Sequence, residues 1–446
     1  MLIYQGDTHG PPGPDQGFAW VADRVFDGQR VLEDHAVVVV AGVVASLVPR
    51  SALPTDLPIY GEPGTTILPG LIDTHVHLMG WQLPLFLAYG VTTVRDTGND
   101  LAWILEQRRR ASVEQGAPRI LCLGPILDGA RPNHPLVSRS CVDDEGVVSA
   151  IRELAGAKVD GIKLYAGFPT DLLPLAVQEG HAAGLKVAKH CLADGVLVAG
   201  RAGVDEFFHL DGILADVWPD HPPGWLSIWG LPGMRDTLDA QQRVADEIAR
   251  LQIVSTPTLA YWDSQWRIRS PGRSATDDSP QVPPQLVAWQ GTAVRNQADA
   301  DQWRRALGAA QRFTGLLLER GVPTLAGTDV PCGAVPAGLS LWREMALLVE
   351  SGMSEIEALQ SATSAAGAFL GQPQLGRLGS GSAADLVVVR GNPTHRLPEV
   401  PELSAVLCAG VLHRPAEILE AVQRSPGAVV DDPWAAQFKK HREVAH

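Results

Sequence analysis

Six residues of this 446-residue chain have the types and placement of metal ligands. Two of them, His75 and His77, stand one residue apart in the stretch ILPGLIDTHVHLMG. In a β-strand, residues two apart project to the same face, so both imidazoles can reach one ion. The other four are Lys163, His190, His209 and Asp329, each within or at the end of its own candidate strand. Neutral imidazole and carboxylate suit zinc and comparable divalent ions. Lys163 stands apart, because an ammonium has three donors and no acceptor and cannot ligate in that form. Its neighbours in IKLY are apolar, and a buried lysine is rare without a partner.

Elements must bring these six residues together, and the pattern between 67 and 375 supplies them. Eight stretches read as strands: ILPGLIDTHVH, VTTVRDTG, RILCLGPIL, GIKLYAG, KVAKHC, DEFFHL, IVSTPTLAYW and PTLAGTDV. Helical stretches lie between most of them. DLLPLAVQEGHAAG is expected to start at a Thr170 cap and to stop at Gly184, and Ser354 with Glu357 forms a capping box for EIEALQSATSAAGAFLG. The alternation predicts an α/β fold, a (β/α)8 TIM-like barrel over 67–375 with its catalytic residues at the C-terminal strand ends. Short strands with Gly, Asn and Pro turns fill 1–66 and return in 376–446. Those two ends are expected to pair into one small β-sandwich domain beside the barrel.

Charge and composition narrow the partners. A net charge of −14 without a basic run argues against nucleic acid or an anionic membrane surface. The longest apolar run, Ala36 to Val48, is about 13 residues and too short to span a bilayer. The first residues are polar and turn-rich, and the five cysteines form no C-x-x-C. A cytoplasmic homo-oligomer acting on a small molecule is the expectation.

The HVH of the first strand, Lys163, His190, His209 and the GTD of Asp329 together resemble the binuclear-metal branch of the amidohydrolase superfamily. GLIDTHVHL, GVTTVRDTG, GPIL and SGSAADLVVV are similar to the group that contains imidazolonepropionase-like hydrolases and Xaa-Pro and Xaa-Arg dipeptidases. The resemblance implies a CO2-derived carbamate on Lys163 that bridges two divalent metal ions, zinc first among them. It implies one metal on His75, His77 and Asp329 and the other on His190 and His209. The implied reaction is attack of a metal-bridging hydroxide on a C–N amide bond of an N-acyl amino acid, dipeptide or cyclic amide. Asp329 would then move the proton to the leaving nitrogen. The same centre would serve a lactone or ester hydrolase, whereas a non-catalytic binding or assembly relative would be expected to have lost a ligand.

Three residues are expected to touch substrate. Tyr165 lies two beyond Lys163 and shares its face. His134 and Arg139 lie in NHPLVSR, where Arg139 would take a carboxylate in a bidentate pair. The Trp- and Pro-rich segments 211–239 and 263–300, with Trp218, Trp225, Trp229, Trp262, Trp266 and Trp289, are expected to overhang the site as an aromatic lid.

Overall fold

The computed structural model describes residues 17–113, 116–220, 226–273, 298–424 and 432–443. The masses of apolar residues in the middle of the chain form parallel strands. One parallel sheet has the order Arg119–Cys122, Val91–Asp96, Leu71–Val76. A second runs Ser138–Ser140, Ile126–Asp128, Ile162–Leu164, Val187–His190, Glu206–Phe208, Val254–Thr256. Leu71–Val76 and Val91–Asp96 are buried at every position. Both faces of these strands are covered, so neither shows a two-residue alternation of buried and exposed positions.

The segment 323–330 lies between the two parallel sheets. It makes a parallel bridge to Ser255 through Thr324 and one to Val76 through Val330. Thr74 N donates to Ala326 O at 3.2 Å, and Asp329 N donates to His75 O at 2.8 Å. Gly327 is required at that approach, since a Cβ there would stand 2.7 Å from Thr256 Cγ2 and 2.8 Å from His75 Cβ. On the opposite side Asp160 N donates to Cys122 O at 2.8 Å, joining the Arg119–Cys122 strand to the start of the Ile162–Leu164 strand.

Helices cover the parallel strands, and their starts follow local chemistry. Asp143 and Asp299 accept from Gly146 N and Gln302 N, opening Asp144–Gly156 and Ala300–Glu319. The Ser354–Glu357 capping box forms with both of its hydrogen bonds. Thr170 does not cap. It begins a 3-10 turn, Thr170–Leu172, and the α-helix runs Leu173–Ala182 with Pro174 in its first turn. Proline has no N–H to leave unsatisfied there, so it fixes the start without a side-chain cap. The seventh strand is also shorter than its sequence suggests. It ends at Thr256, and Leu259–Arg267 is a helix. TLAYW is as apolar as a strand, but Pro257 donates no hydrogen bond and Thr258 turns left-handed at φ 52.

The two chain ends meet in antiparallel pairing. Thr65–Pro69 pairs with Leu386–Arg390 inside a six-stranded sheet, and Phe18–Val21 pairs with His35–Val40 inside a four-stranded one. Side chains from both sheets, among them Trp20, Val37, Ile67, Val388 and Leu407, share one apolar cluster. Gly70 alone separates Thr65–Pro69 from Leu71–Val76, and a Cβ on it would lie 2.1 Å from Thr92 Oγ1. The strand carrying His75 and His77 is thus a direct continuation of the end-domain sheet. Among the described residues no helix is long and apolar enough to cross a membrane.

Candidate metal centre

The strand ends converge as the ligand types require. His75 Nε2 and His77 Nε2 each lie 3.3 Å from Asp329 Oδ1. One ligand atom each from His75, His209 and Asp329 lies within 4.8 Å of the others. The ring centroids of His190 and His209 are 4.5 Å apart, and those of His75 and His209 are 4.8 Å apart. Lys163 is fully buried, and its Nζ has no hydrogen-bond partner among the described residues. It stands 5.2 Å from the ring centroid of Phe208 and 5.6 Å from that of Tyr165. Phe208 also packs on His75, with centroids 4.2 Å apart, so it forms an apolar floor beneath both.

Backbone conformation aims these side chains. His209 and Asp329 both have φ of 63, and Thr258 has 52. Left-handed non-glycine residues are uncommon and cluster where function requires a side chain to turn. Two of the histidines, His209 and His190, are then oriented through their other nitrogen. Thr258 Oγ1 donates to Pro257 O at 2.8 Å, so it can only accept from His209 Nδ1, 2.7 Å away. That fixes the proton on Nδ1 and leaves Nε2 as the donor to an ion. Asp211 Oδ2 accepts from His190 Nε2 at 2.9 Å, which leaves Nδ1 in the same role.

Ionisation matches a ligand set. Burial, followed by the Lys163 charge, holds His75 well below the usual imidazole range, and burial does the same to His209. Burial opposes the charge on Asp329, yet His209 and the hydrogen bonds from His75 and His77 overcome it and hold the carboxyl well below its ordinary range. Burial pushes Lys163 down to about 8. Neutral imidazoles and an ionised carboxylate are the forms that bind a divalent cation. The residues therefore fit a metal centre, and the orphaned Lys163 Nζ among them fits a lysine that has gained an acceptor.

The remaining expected residues divide. Tyr165 OH lies 3.0 Å from His134 Nε2, and the Tyr165 ring is 4.9 Å from His190. These two belong to the same cluster as the ligands. Arg139 does not join them. Its guanidinium pairs with Glu153 and donates to Ser149 Oγ at 3.1 Å, both on the helix Asp144–Gly156. Arg139 sits on the short outermost strand of its sheet, where its side chain finds a partner among the covering helices instead of the cluster. Two tryptophans of the expected lid are packed in the interior. Trp229 and Trp262 are buried with centroids 6.1 Å apart, and they meet Phe313 and Trp303 of the helix Ala300–Glu319 edge to face. Trp225 and Trp289 lie outside the described residues.

Two site residues carry no signal strong enough to be found in the sequence. Cys332 contributes a sulfur within 4.8 Å of ligand atoms of His77 and Asp329. Trp434, from the C-terminal helix Pro433–Glu443, lies 4.5 Å from His77 and 5.1 Å from His134 between ring centroids.

Comparisons with known proteins bear on the family and the fold. The model of the Amidohydrolase family matches residues 310–415, and that of the NagA composite domain matches 18–61. Imidazolonepropionase of Deinococcus radiodurans is 35% identical over 66 residues, a stretch covering 15% of this chain and 15% of that protein. Bottromycin amidohydrolase superposes with a TM-score of 0.72 at 23% identity, covering 94% of this chain and 92% of the other. A Xaa-Pro dipeptidase with methionine bound in its active site gives 0.67 at 20% identity, over 90% and 100% of the two chains. The ochratoxinase of A. niger gives 0.63 at 16% identity, over 90% and 96%. At these identities the structural likenesses speak to the fold.

Proposed function

We propose that this chain, which belongs to the amidohydrolase superfamily, is a metal-dependent hydrolase of the C–N bond of a small amide. Seven of the parallel strands, Leu71–Val76, Val91–Asp96, Arg119–Cys122, Ile162–Leu164, Val187–His190, Glu206–Phe208 and Val254–Thr256, are read with the bridging segment 323–330 as an eight-stranded barrel whose C-terminal ends hold the site. One observation carries the proposal. His75, His77, His209 and Asp329 converge beside a fully buried Lys163 whose Nζ has no hydrogen-bond partner among the described residues. A fully buried charged amine without a hydrogen-bond partner is costly. Carboxylation by CO2, which forms an N–C bond and releases a proton, turns that amine into a group with two acceptor oxygens.

His75, His77 and Asp329 would hold one ion and His190 with His209 the other, with carboxylated Lys163 between them. Bound divalent metals supply an activated water and a Lewis acid for the scissile carbonyl. The chain's own residues supply the rest. Asp329 is ionised at neutral pH, so it accepts a proton from the attacking water and returns it to the leaving nitrogen. Tyr165, whose hydroxyl burial keeps protonated, offers an O–H to a substrate oxygen, and His134 holds that hydroxyl at 3.0 Å. N-acyl amino acids, dipeptides and cyclic amides are the substrate classes of choice.

The test is a panel of those amides with matched esters and lactones, using protein loaded with zinc in bicarbonate. Amide turnover is expected, together with about two metal equivalents per chain. Asp329→Asn should lose ~10²–10⁴ in kcat, the scale of a general acid–base step. Cleavage of esters with every amide inert would make this an esterase. Near-normal turnover in the variant would place the proton transfer on another group.

A further inference from the structure

The C-terminal helix reaches into the candidate centre from outside the parallel strands. Seven rings, four of them on proposed ligand histidines, form a closed circuit. From His77 to His75 the centroids are 5.5 Å apart, then 4.8 Å to His209 and 4.5 Å to His190. The circuit continues 4.9 Å to Tyr165, 5.3 Å to His134, 5.1 Å to Trp434, and 4.5 Å back to His77. Six of the seven come from the region of the parallel strands and their loops. Trp434 alone comes from the far end of the chain, and it fills the gap between His77 and His134.

Its placement is built. Trp434 Nε1 donates to Gly98 O at 2.7 Å, the carbonyl that also lies 3.5 Å from His77 Nδ1. Asp432 caps the helix by accepting from Trp434 N and Ala435 N, and its other oxygen accepts from Gly80 N at 3.2 Å. Gln437 Oε1 accepts from Leu136 N at 2.9 Å. Gly80 lies three residues beyond His77, and Leu136 lies two residues beyond His134. The helix is thus pinned to both loops whose histidines its tryptophan joins. Asp432, Trp434 and Gln437 are all buried.

We propose that Trp434 is a specificity-determining residue, the wall that limits the substituent on the His77–His134 side of the substrate. This rests on the reading of the centre as an amide hydrolase. An indole is flat, apolar and rigid, so it favours an apolar or aromatic group of limited width against it. Trp434 is neither a proposed ligand nor the proton-transferring group, so its removal opens the circuit at one place without deleting either.

The experiment compares wild type, Trp434→Phe and Trp434→Ala on two series of amides. In one the acyl group grows from acetyl to benzoyl to naphthoyl on a fixed amino acid. In the other the amino acid grows on a fixed acyl group. Trp434→Ala should raise the ratio of kcat/KM for the largest over the smallest member of one series by about 10-fold or more, the scale on which an apolar pocket discriminates. Trp434→Phe should fall between, and metal content should not change. Ratios within twofold of wild type in both series, at normal metal content, would overturn the proposal. A second measurement needs neither metal nor turnover. In metal-free protein, carbethoxylation of His77 followed by mass spectrometry should be several-fold faster in Trp434→Ala, with His75 unaffected. Equal protection of His77 would remove the wall. An inert wild type that still shows this difference would refute the amide reaction and leave the wall standing.

Discussion

At His209 the relation between a side chain and its orienting partner is simple enough to predict. Thr258 has a single hydroxyl proton and gives it to Pro257 O, so its oxygen must accept from His209 Nδ1. Thr258→Val keeps the β-branched shape and the left-handed backbone but removes the acceptor. His209 then loses the bond that fixes its tautomer and ring angle. Loss of such an orienting bond typically costs about 10–100-fold in metal affinity. Competition with a chromophoric zinc chelator should show one of two sites weakened by that factor, with the other little changed. Unchanged affinity at both sites would mean that strand geometry alone orients His209. Arg139 teaches the converse lesson about residues. Its type suited carboxylate recognition, yet type does not say which way a side chain on an edge strand will face, and Glu153 and Ser149 hold it.

Elements were legible where one physical cause dominated. The Ser354–Glu357 capping box is a local device and appears as its spacing demands. The alternation of strands and helices also survives, because buried parallel strands need apolar runs and the covering helices need one apolar stripe. TLAYW failed because an apolar aromatic run suits a buried helix as well as a strand. The placement of Pro433–Glu443 was not legible at all. Nothing in PWAAQFKKHRE marks a docking site set by loops some three hundred residues earlier in the chain.

The helix Leu259–Arg267 that replaced part of the expected strand carries its own prediction. Glu344, fully buried on Leu339–Glu350, accepts from Ala260 N at 2.6 Å in that helix's first turn. A helix N-terminus favours the carboxylate, but burial outweighs it and pushes Glu344 from 4.5 up to about 8. The folded state therefore binds this proton more tightly than the unfolded state. Its contribution to stability is full below about pH 4.5 and is lost as pH rises through about 8. Glu344→Gln keeps an acceptor for Ala260 N and does not titrate. It should gain on wild type by on the order of a few kcal/mol between pH 5 and 9, because each tenfold difference in proton affinity between the two states is worth about 1.4 kcal/mol. Urea midpoints at the two pH values check this, and parallel curves for the two proteins would exclude Glu344 as the cause.

For the molecule as a whole, the question is what keeps two parallel sheets in register so that ligands from separate strands meet. Much of the answer is one buried ion pair. Arg95 Nη2 lies 2.7 Å from Glu206 Oε1, and neither side chain is exposed beyond a few per cent. Arg95 Nε donates to Thr74 O at 2.6 Å, and Thr256 Oγ1 donates to Glu206 Oε1 at 2.6 Å. Four strands are tied through two side chains, with His75 one residue beyond Thr74 and His209 three beyond Glu206. Phe208 covers the pair, its ring centroid 5.4 Å from Arg95 Cζ, so water does not screen the charges. Removing one partner leaves the other charge buried and should cost about 3–5 kcal/mol. Glu206→Leu and Arg95→Met are each expected to lose this much in urea unfolding of the metal-free protein. The double variant should recover most of it, because an apolar pair of similar volume needs no desolvation. Register is a separate matter from stability. If the tie also sets the meeting of the ligands, the double variant will fold well yet bind metal more weakly than wild type. A double variant as stable as wild type and with its full metal affinity would show that the packing of the parallel strands aligns the ligands unaided.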